Sequence, residues 1–390
     1  MPQPPPISPA RLVAFDVLRR AETGAYASDL LMAASRRLDS RDAGLASELV
    51  FGCLRRQGQL DFLVRFFSHR EPSVQDAAVR IALRMGVYQM RMLDRIPPHA
   101  AVGESVELVK RNGKASAAGF VNAVLRKVHR DPVRFPERWM DLSMPAWMLH
   151  RWDDRFTPGV ADKIARSFLD QPEVWVRIPP GTPLPETTEL EPTPGIPGAY
   201  KLITGSTQGL RIQDAGSQSI VPLLDLQPGQ TFLDLCAAPG NKTAQALESG
   251  VHAIACDLNL NRLRDFQATG VPLVVLDATA PLPFKTKFDR ILVDAPCSGT
   301  GTLGRNPEIR WRIKPTDFAP LAELQGRLLS RALEYLAPGG LLVYSTCSLE
   351  REENEDVVRA VLGHPPAREV RRTPGLDAGD GFYAAVIPSK

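Results

Sequence analysis

From about residue 230 onward, apolar runs too short to be helices alternate with helix-length stretches, and this alternation limits the possible folds more than any other feature of the chain. The runs are Phe232-Leu-Asp-Leu235, Ala253-Ile-Ala-Cys256, Leu273-Val-Val-Leu276, Ile291-Leu-Val293 and Leu341-Leu-Val-Tyr344. Continuous apolar strands separated by helices specify a parallel sheet covered on both faces, so a doubly wound α/β domain is expected. Such a sheet presents its reactive groups at the carboxyl ends of its strands.

The first four strands finish, in order, at Asp234, Asp257, Asp277 and Asp294. A single strand-end aspartate is often only a helix cap. Four in succession point instead to a bound nucleoside. Asp257 lies about 20 residues beyond the first loop, where an acid can accept both hydrogen bonds of a ribose diol. The small residues of that loop, Cys236-Ala-Ala-Pro-Gly-Asn-Lys-Thr243, let the backbone approach a ligand ahead of a helix N-terminus. It is not a P-loop, because Cys236 and Asn241 stand where glycine is needed, and one glycine is too few for a dinucleotide fingerprint. A nucleoside without a phosphate cradle suggests S-adenosylmethionine. The expected cofactor-binding residues are Cys236, Ala237, Ala238, Pro239, Gly240, Asn241, Lys242, Asp257, Asp277 and Asp294, with Cys236 packing beside the ligand rather than acting as a nucleophile.

Two strands also deliver thiols. Cys297 lies in Asp294-Ala-Pro-Cys-Ser-Gly-Thr-Gly301 and Cys347 in Ser345-Thr-Cys-Ser348, each directly after an apolar run. Two thiols on one sheet edge suggest one active site with two sulfur functions. Spacing does not say which thiol does what.

Residues 8 to about 150 read as helices. Ser8-Pro9 supplies a cap and a first-turn proline, and Val74, Ala78, Ile81, Met85, Tyr88 and Met92 recur at steps of four and three. Leu45, Leu49 and Cys53 follow the same spacing, which makes Cys53 a core residue. Residues 1–150 carry 22 Lys/Arg against 15 Asp/Glu, a net +7, while the remainder is −4. Arg80, Arg84, Arg91 and Arg95 fall within about 60° of one another on a helix, and two further clusters, Lys110/Arg111/Lys114 and Arg126/Lys127/Arg130, reinforce a phosphate-contacting surface. Charge alone leaves a nucleic-acid partner, RNA or DNA, and no such partner equally open, since +7 over 150 residues is common in proteins that bind no nucleic acid. Between Pro179 and Pro197 stand seven prolines, which read as a connector with one short strand at Val174-Trp-Val-Arg-Ile178. The expected domains are thus 8–150, 151–215 and 216–390.

The five cysteines form no C-x-x-C pair and the six histidines are scattered, so neither a disulfide framework nor a metal site is expected. No window approaches the ~18 apolar residues of a membrane span, and Met1-Pro-Gln-Pro-Pro-Pro-Ile7 has neither a basic nor an apolar leader region, so a cytoplasmic protein is expected.

The motifs Asp234-Leu-Cys-Ala-Ala-Pro-Gly240, Asp294-Ala-Pro-Cys-Ser298 and Ser345-Thr-Cys-Ser348 resemble, as a set, those of the RNA cytosine-C5 methyltransferases. Ile212-Gln-Asp-Ala-Gly-Ser-Gln218 is similar to the segment preceding their catalytic domain, and Phe120-Val-Asn-Ala-Val-Leu-Arg-Lys127 to a NusB-like RNA-binding domain. That fusion is characteristic of the bacterial 16S rRNA cytosine-C5 methyltransferase B group. Two positions depart from the pattern: Asn241 replaces the usual glycine, and Glu308 in Arg305-Asn-Pro-Glu-Ile-Arg310 replaces the usual aspartate. The resemblance implies an all-α NusB-like domain followed by a Rossmann-like α/β methyltransferase domain. It further implies S-adenosylmethionine as cofactor, RNA (16S rRNA, free or in an early assembly intermediate) as partner, and a monomer.

The chemistry explains the need for two thiols. Cytosine C5 is a poor nucleophile until a thiolate adds to C6, and the adduct must then be released. The resemblance assigns addition to Cys347 and release to Cys297. Asp294 is placed either to hydrogen-bond or protonate N3 or to contact the cofactor, and Lys242 either lowers a thiol pKa or simply opens a helix. The target base must be unstacked to reach the site. A tRNA cytosine-C5 methyltransferase and a non-catalytic RNA-binding assembly factor are the alternatives.

Overall fold

The computed structural model describes residues 7–264, 266, 268 and 270–389. It comprises two units, Met1–Gln171 with Leu303–Arg312, and Pro172–Thr302 with Ile313–Lys390.

The first unit is helical. Its core is built from the helices Pro9–Ala21, Ser40–Arg55, Gln57–Ser68, Ala77–Met92, Pro98–Arg111 and Ala118–Arg126. Ala78, Ile81, Met85 and Tyr88 are buried as their spacing requires, and Cys53 is 2 % exposed. Val74 is not part of that face. It is 81 % exposed, because the helix begins only after Asp76, whose carboxylate caps the Ala78 N–H at 2.9 Å. Gly86 allows a close helix crossing, since a Cβ there would sit 2.6 Å from Leu125.

Helices continue to Ser167, past the expected boundary at 150. The prolines that would stop them begin only at Pro172, and Pro158 occupies a first helical turn, where its missing N–H costs nothing. The segment Leu303–Arg312 also belongs to this unit. Arg310 is fully buried and donates to the carbonyls of Arg55, Ser143, Phe168 and Leu303, while Trp311 Nε1 donates to Leu54 O. Burial, aided by the Arg55 charge, pushes the Arg310 pKa down to about 9.

The second unit holds two sheets. The proline-rich stretch forms an antiparallel sheet of β1 (Trp175–Arg177), β2 (Glu189–Pro192), β3 (Ala199–Thr204) and β4 (Arg211–Ile212), in the order β2-β3-β1-β4. Only the first strand was foreseen, because prolines are tolerated at strand ends and in the turns between them.

The larger sheet comprises β5 (Thr231–Asp234), β6 (His252–Asp257), β7 (Leu273–Val275), β8 (Phe288–Asp294), β9 (Leu336–Thr346), β10 (Arg368–Arg372) and β11 (Phe382–Pro388), in the order β10-β11-β9-β8-β5-β6-β7. β5 to β9 are parallel, as expected, whereas β10 and β11 run antiparallel at one edge. Alternate residues of the central strands enter opposite cores. Leu233, Ile291 and Leu342 pack toward helices Phe318–Glu334 and Glu355–Leu362, and Phe232, Leu292 and Val343 toward Ile220, Leu224 and Ala246. This double coverage fixes the register of the central strands β5, β8 and β9 and therefore the position of their ends, whereas β7 and β10 are largely exposed.

Candidate active site

The carboxyl edge of the large sheet runs β9, β8, β5, β6, β7, so its chemistry-bearing residues succeed one another as Cys347, Cys297 with Asp294, Asp234, Asp257 and Asp277. β8 and β9 are adjacent and paired Asp294 to Ser345. Their continuations bring the Cys297 and Cys347 sulfurs to 3.4 Å. The Cys297 thiol is pushed well above its ordinary pKa, first by its hydrogen bond with Cys347, then by burial and by the charges of Cys347 and Glu353. Cys297 therefore remains protonated at neutral pH and can donate to its neighbour's sulfur.

Asp294 is held from two sides. Lys242 Nζ donates to Oδ2 at 2.7 Å and Ser345 Oγ to Oδ1 at 2.7 Å. Lys242 opens helix Asn241–Leu247 and lies 5.1 Å over the Phe382 ring. Burial works against its charge, but the charge and hydrogen bond of Asp294, with the Cys347 sulfur contributing, raise its pKa above the ordinary value. It is a committed ammonium rather than a loose helix-end lysine.

The loop between β5 and that helix is pinned by its own backbone. Ala237 N–H donates to Cys256 O at 2.8 Å, and Gly240 adopts φ +100°, a conformation that favours glycine. Pro239 lies within this turn, and Asn241 Nδ2 donates to Ile212 O at 3.3 Å. The Cys236 thiol is pushed well up by burial and by the Asp234, Asp294 and Asp257 charges, which suits a packing role. Asp257 is 5 % exposed and accepts from Ala238 N–H at 3.1 Å and Asn259 N–H at 2.9 Å. Asp277 is exposed and lies two residues beyond β7. The Thr279 hydroxyl and then its N–H hold the Asp277 carboxyl below the usual range.

Asp234 is the most perturbed carboxyl of the edge. It is 1 % exposed; Thr243 Oγ1 donates to Oδ2 at 2.7 Å, and Oδ1 is buried without a hydrogen-bond partner among the described residues. Burial raises its pKa to about 7, with Thr243 opposing and Asp294 adding to the rise. A buried, partly protonated carboxyl with a vacant oxygen fits a ligand that brings a donor or a positive charge, as S-adenosylmethionine does. Among the described residues no group of three His, Cys, Asp or Glu is placed to hold a metal ion, and no helix is long and apolar enough to cross a membrane.

The helical unit answers the charge reading differently. Arg84 is 8 % exposed and paired with Asp61 and Glu22 at 2.7 Å each; Arg80 pairs with Glu22, and Arg91 donates to backbone carbonyls of His129 and Asp131. The expected phosphate-contacting stripe is thus largely an internal ion-pair network, because acids on neighbouring helices meet it. Arg95, Arg111, Arg126 and Lys127 remain exposed.

One residue escaped the sequence reading. Glu353, wholly buried, accepts from Ser298 N–H at 2.8 Å, from Gln325 Nε2 at 3.0 Å, and from the hydroxyls of both Ser298 and Ser348. Its only signal was its place in the polar run Glu350-Arg-Glu-Glu-Asn-Glu355, just after the second cysteine motif.

A family model described as "16S rRNA methyltransferase RsmB/F" matches residues 221–388, and one described as "NusB family" matches residues 8–130. The chain is 32 % identical to ribosomal RNA small subunit methyltransferase B of Klebsiella pneumoniae over 96 % of this chain and 97 % of that protein. It is 31 % identical to the protein of the same name from Salmonella typhi, covering 95 % and 96 %. Among solved structures, a methyltransferase homolog protein from Pyrococcus horikoshii shares 27 % identity at a TM-score of 0.56, covering 65 % of this chain and 97 % of the other.

Proposed function

Since this chain belongs to the RsmB/F family of 16S rRNA methyltransferases, we propose that the atom it methylates is C5 of a cytosine, through a transient bond from Cys347 to C6 that Cys297 helps to break. Methylation of 16S rRNA with S-adenosylmethionine as cofactor is the activity of the family. The observation that carries the finer reading is the 3.4 Å separation of two sulfurs beside the Lys242–Asp294 ion pair.

The residues divide the work as follows. The Cys347 thiolate adds to C6, and the C5–C6 electron pair shifts into the ring, leaving an enamine with C5 nucleophilic. Lys242 and Asp294 supply the polar contacts to the exocyclic amine and ring nitrogen that stabilise charge developing during addition. When bound, S-adenosylmethionine supplies an electrophilic methyl group from its sulfonium. After C5 has taken up the methyl group it still bears a proton. Transfer of that proton to a solvent base returns its electron pair to the C5–C6 bond and expels the Cys347 sulfur as thiolate. Cys297, a thiol in contact with that sulfur, can hydrogen-bond it as it leaves.

The cofactor would lie along the loop from Cys236 through Ala237, Ala238, Pro239 and Gly240 to Asn241. Each Asp257 oxygen accepts one backbone N–H and keeps capacity for a ribose hydroxyl. Asp277 would meet the adenine amine. Lys242 and Asp294, already paired, serve the base. RNA contacts from the helical unit would come from Arg95, Arg111, Arg126 and Lys127.

Bisulfite sequencing of 16S rRNA from cells with and without this gene tests the reading. One cytosine should lose its protection in the deletion strain; an unchanged bisulfite pattern, with loss of a methyl at another atom, would contradict it.

A further inference from the structure

A buried carboxylate joins the two cysteine loops beneath the sulfurs, alongside the direct bonds from Gly301 N–H to Cys347 O and from Leu349 N–H to Thr300 Oγ1, each 2.9 Å. Glu353 Oε2 accepts from the hydroxyls of Ser298 and Ser348, the residues that follow Cys297 and Cys347, and Oε1 accepts from Ser298 N–H and Gln325 Nε2. Four donors fill the four acceptor positions of an ionised carboxylate, so the charge is fully hydrogen-bonded although it is out of water. The serine hydroxyls also lie 3.1 Å from each other. Residues next to Glu353 hold the second loop from below: Asn354 Nδ2 donates to Ser348 O at 2.9 Å, and Tyr344 OH donates to Glu353 O at 2.6 Å.

We propose that Glu353 is a positioning residue that sets Cys297 and Cys347 at their working separation by tying Ser298 to Ser348. The proposal rests on the two-thiol reading above and adds to it the element that fixes the geometry. Ser298 and Ser348 lie on different strands' continuations, and their direct contact is one hydroxyl pair, with Ser348 Oγ also accepting from Glu350 N–H and meeting Thr300 Oγ1. Glu353 adds three bonds that span both residues, from Ser298 N–H, Ser298 Oγ and Ser348 Oγ. Its charge also stands among the causes that keep Cys297 protonated. A misplacement of about 1 Å between reacting groups costs on the order of a hundredfold in rate, so this anchor acts on turnover rather than on binding.

The test uses the full chain with three substitutions. Glu353→Gln keeps shape but places donors against the donors it must accept; Ser348→Ala removes one hydroxyl and leaves the carboxylate its other three donors. Glu353→Gln is expected to lower kcat about ten- to a hundredfold, with KM for RNA and Kd for S-adenosylmethionine essentially unchanged and Tm lowered by the donors left unpaired. It should also raise the fraction of protein–RNA adduct seen on a denaturing gel. Ser348→Ala should show the same kcat-only pattern, more weakly. A kcat within twofold of the unaltered enzyme in both variants overturns the proposal. So does a loss of turnover in which Kd for S-adenosylmethionine and KM for RNA rise together with it, since that marks a merely structural carboxylate. Cys347→Ala run alongside separates the two levels: if it retains full activity, the two-thiol reading itself fails, whatever Glu353→Gln does.

Discussion

The Cys297 and Cys347 loops look alike in sequence and differ in their surroundings. Both follow apolar strands of one sheet and both are followed by serine. Cys347 comes directly after the long central strand β9, and its sulfur contributes to the raised pKa of the Lys242 ammonium. Cys297 lies three residues beyond β8, and the hydrogen bond to Cys347, burial and nearby negative charge keep its proton on. Equal placement at strand ends therefore does not mean equal chemistry. The neighbours supplied by β5's loop and by the segment after β9 set a cation near Cys347 and keep the proton on Cys297.

The largest expected effect that would break this contrast is on Cys347. Cys347→Ala should lower methylation at least about a thousandfold, while S-adenosylmethionine binding, measured by calorimetry, stays intact. Lys242→Met removes the cation beside Cys347 without touching either thiol. Turnover should fall on the order of a hundredfold; turnover within twofold of the unaltered enzyme would undo the contrast.

Asp234 sharpens the comparison by leaving both thiols alone. Its pKa is about 7 in the folded chain, against about 4 for an unfolded aspartate. Between those values the folded chain binds the extra proton, so stability falls as pH rises through that window, by about 4 kcal/mol in all. Asp234→Asn should flatten that slope in urea midpoints measured from pH 5 to 8. The smallest effect belongs to the helical unit. Arg126→Ala combined with Lys127→Ala should reduce the salt slope of RNA binding by roughly 0.7 per lost phosphate contact, with kcat at saturating RNA unchanged.

Much of this was legible in the sequence, and the rest was not, for physical reasons. Strand ends could be located because a sheet buried on both faces leaves unbroken apolar runs, and the aspartates and cysteines follow those runs directly. The arginine stripe of helix Ala77–Met92 misled because helical periodicity gives the side a residue faces and not what waits across from it; Asp61 and Glu22 were waiting. The small antiparallel sheet was hidden by prolines that sit at its edges and turns. Glu353 was hidden for a related reason. A charged run after a strand reads as solvated surface, and only the fold turns Glu350, Glu353 and Asn354 inward and sets Glu353 beneath two loops far apart in sequence.

The division of labour between the two sulfurs is tested most directly by incubating Cys297→Ala with RNA and S-adenosylmethionine and running the mixture on a denaturing gel. A protein–RNA adduct should accumulate that is absent from Cys347→Ala and from the variant lacking both cysteines. An adduct that appears with Cys347→Ala and not with Cys297→Ala would contradict the assignment.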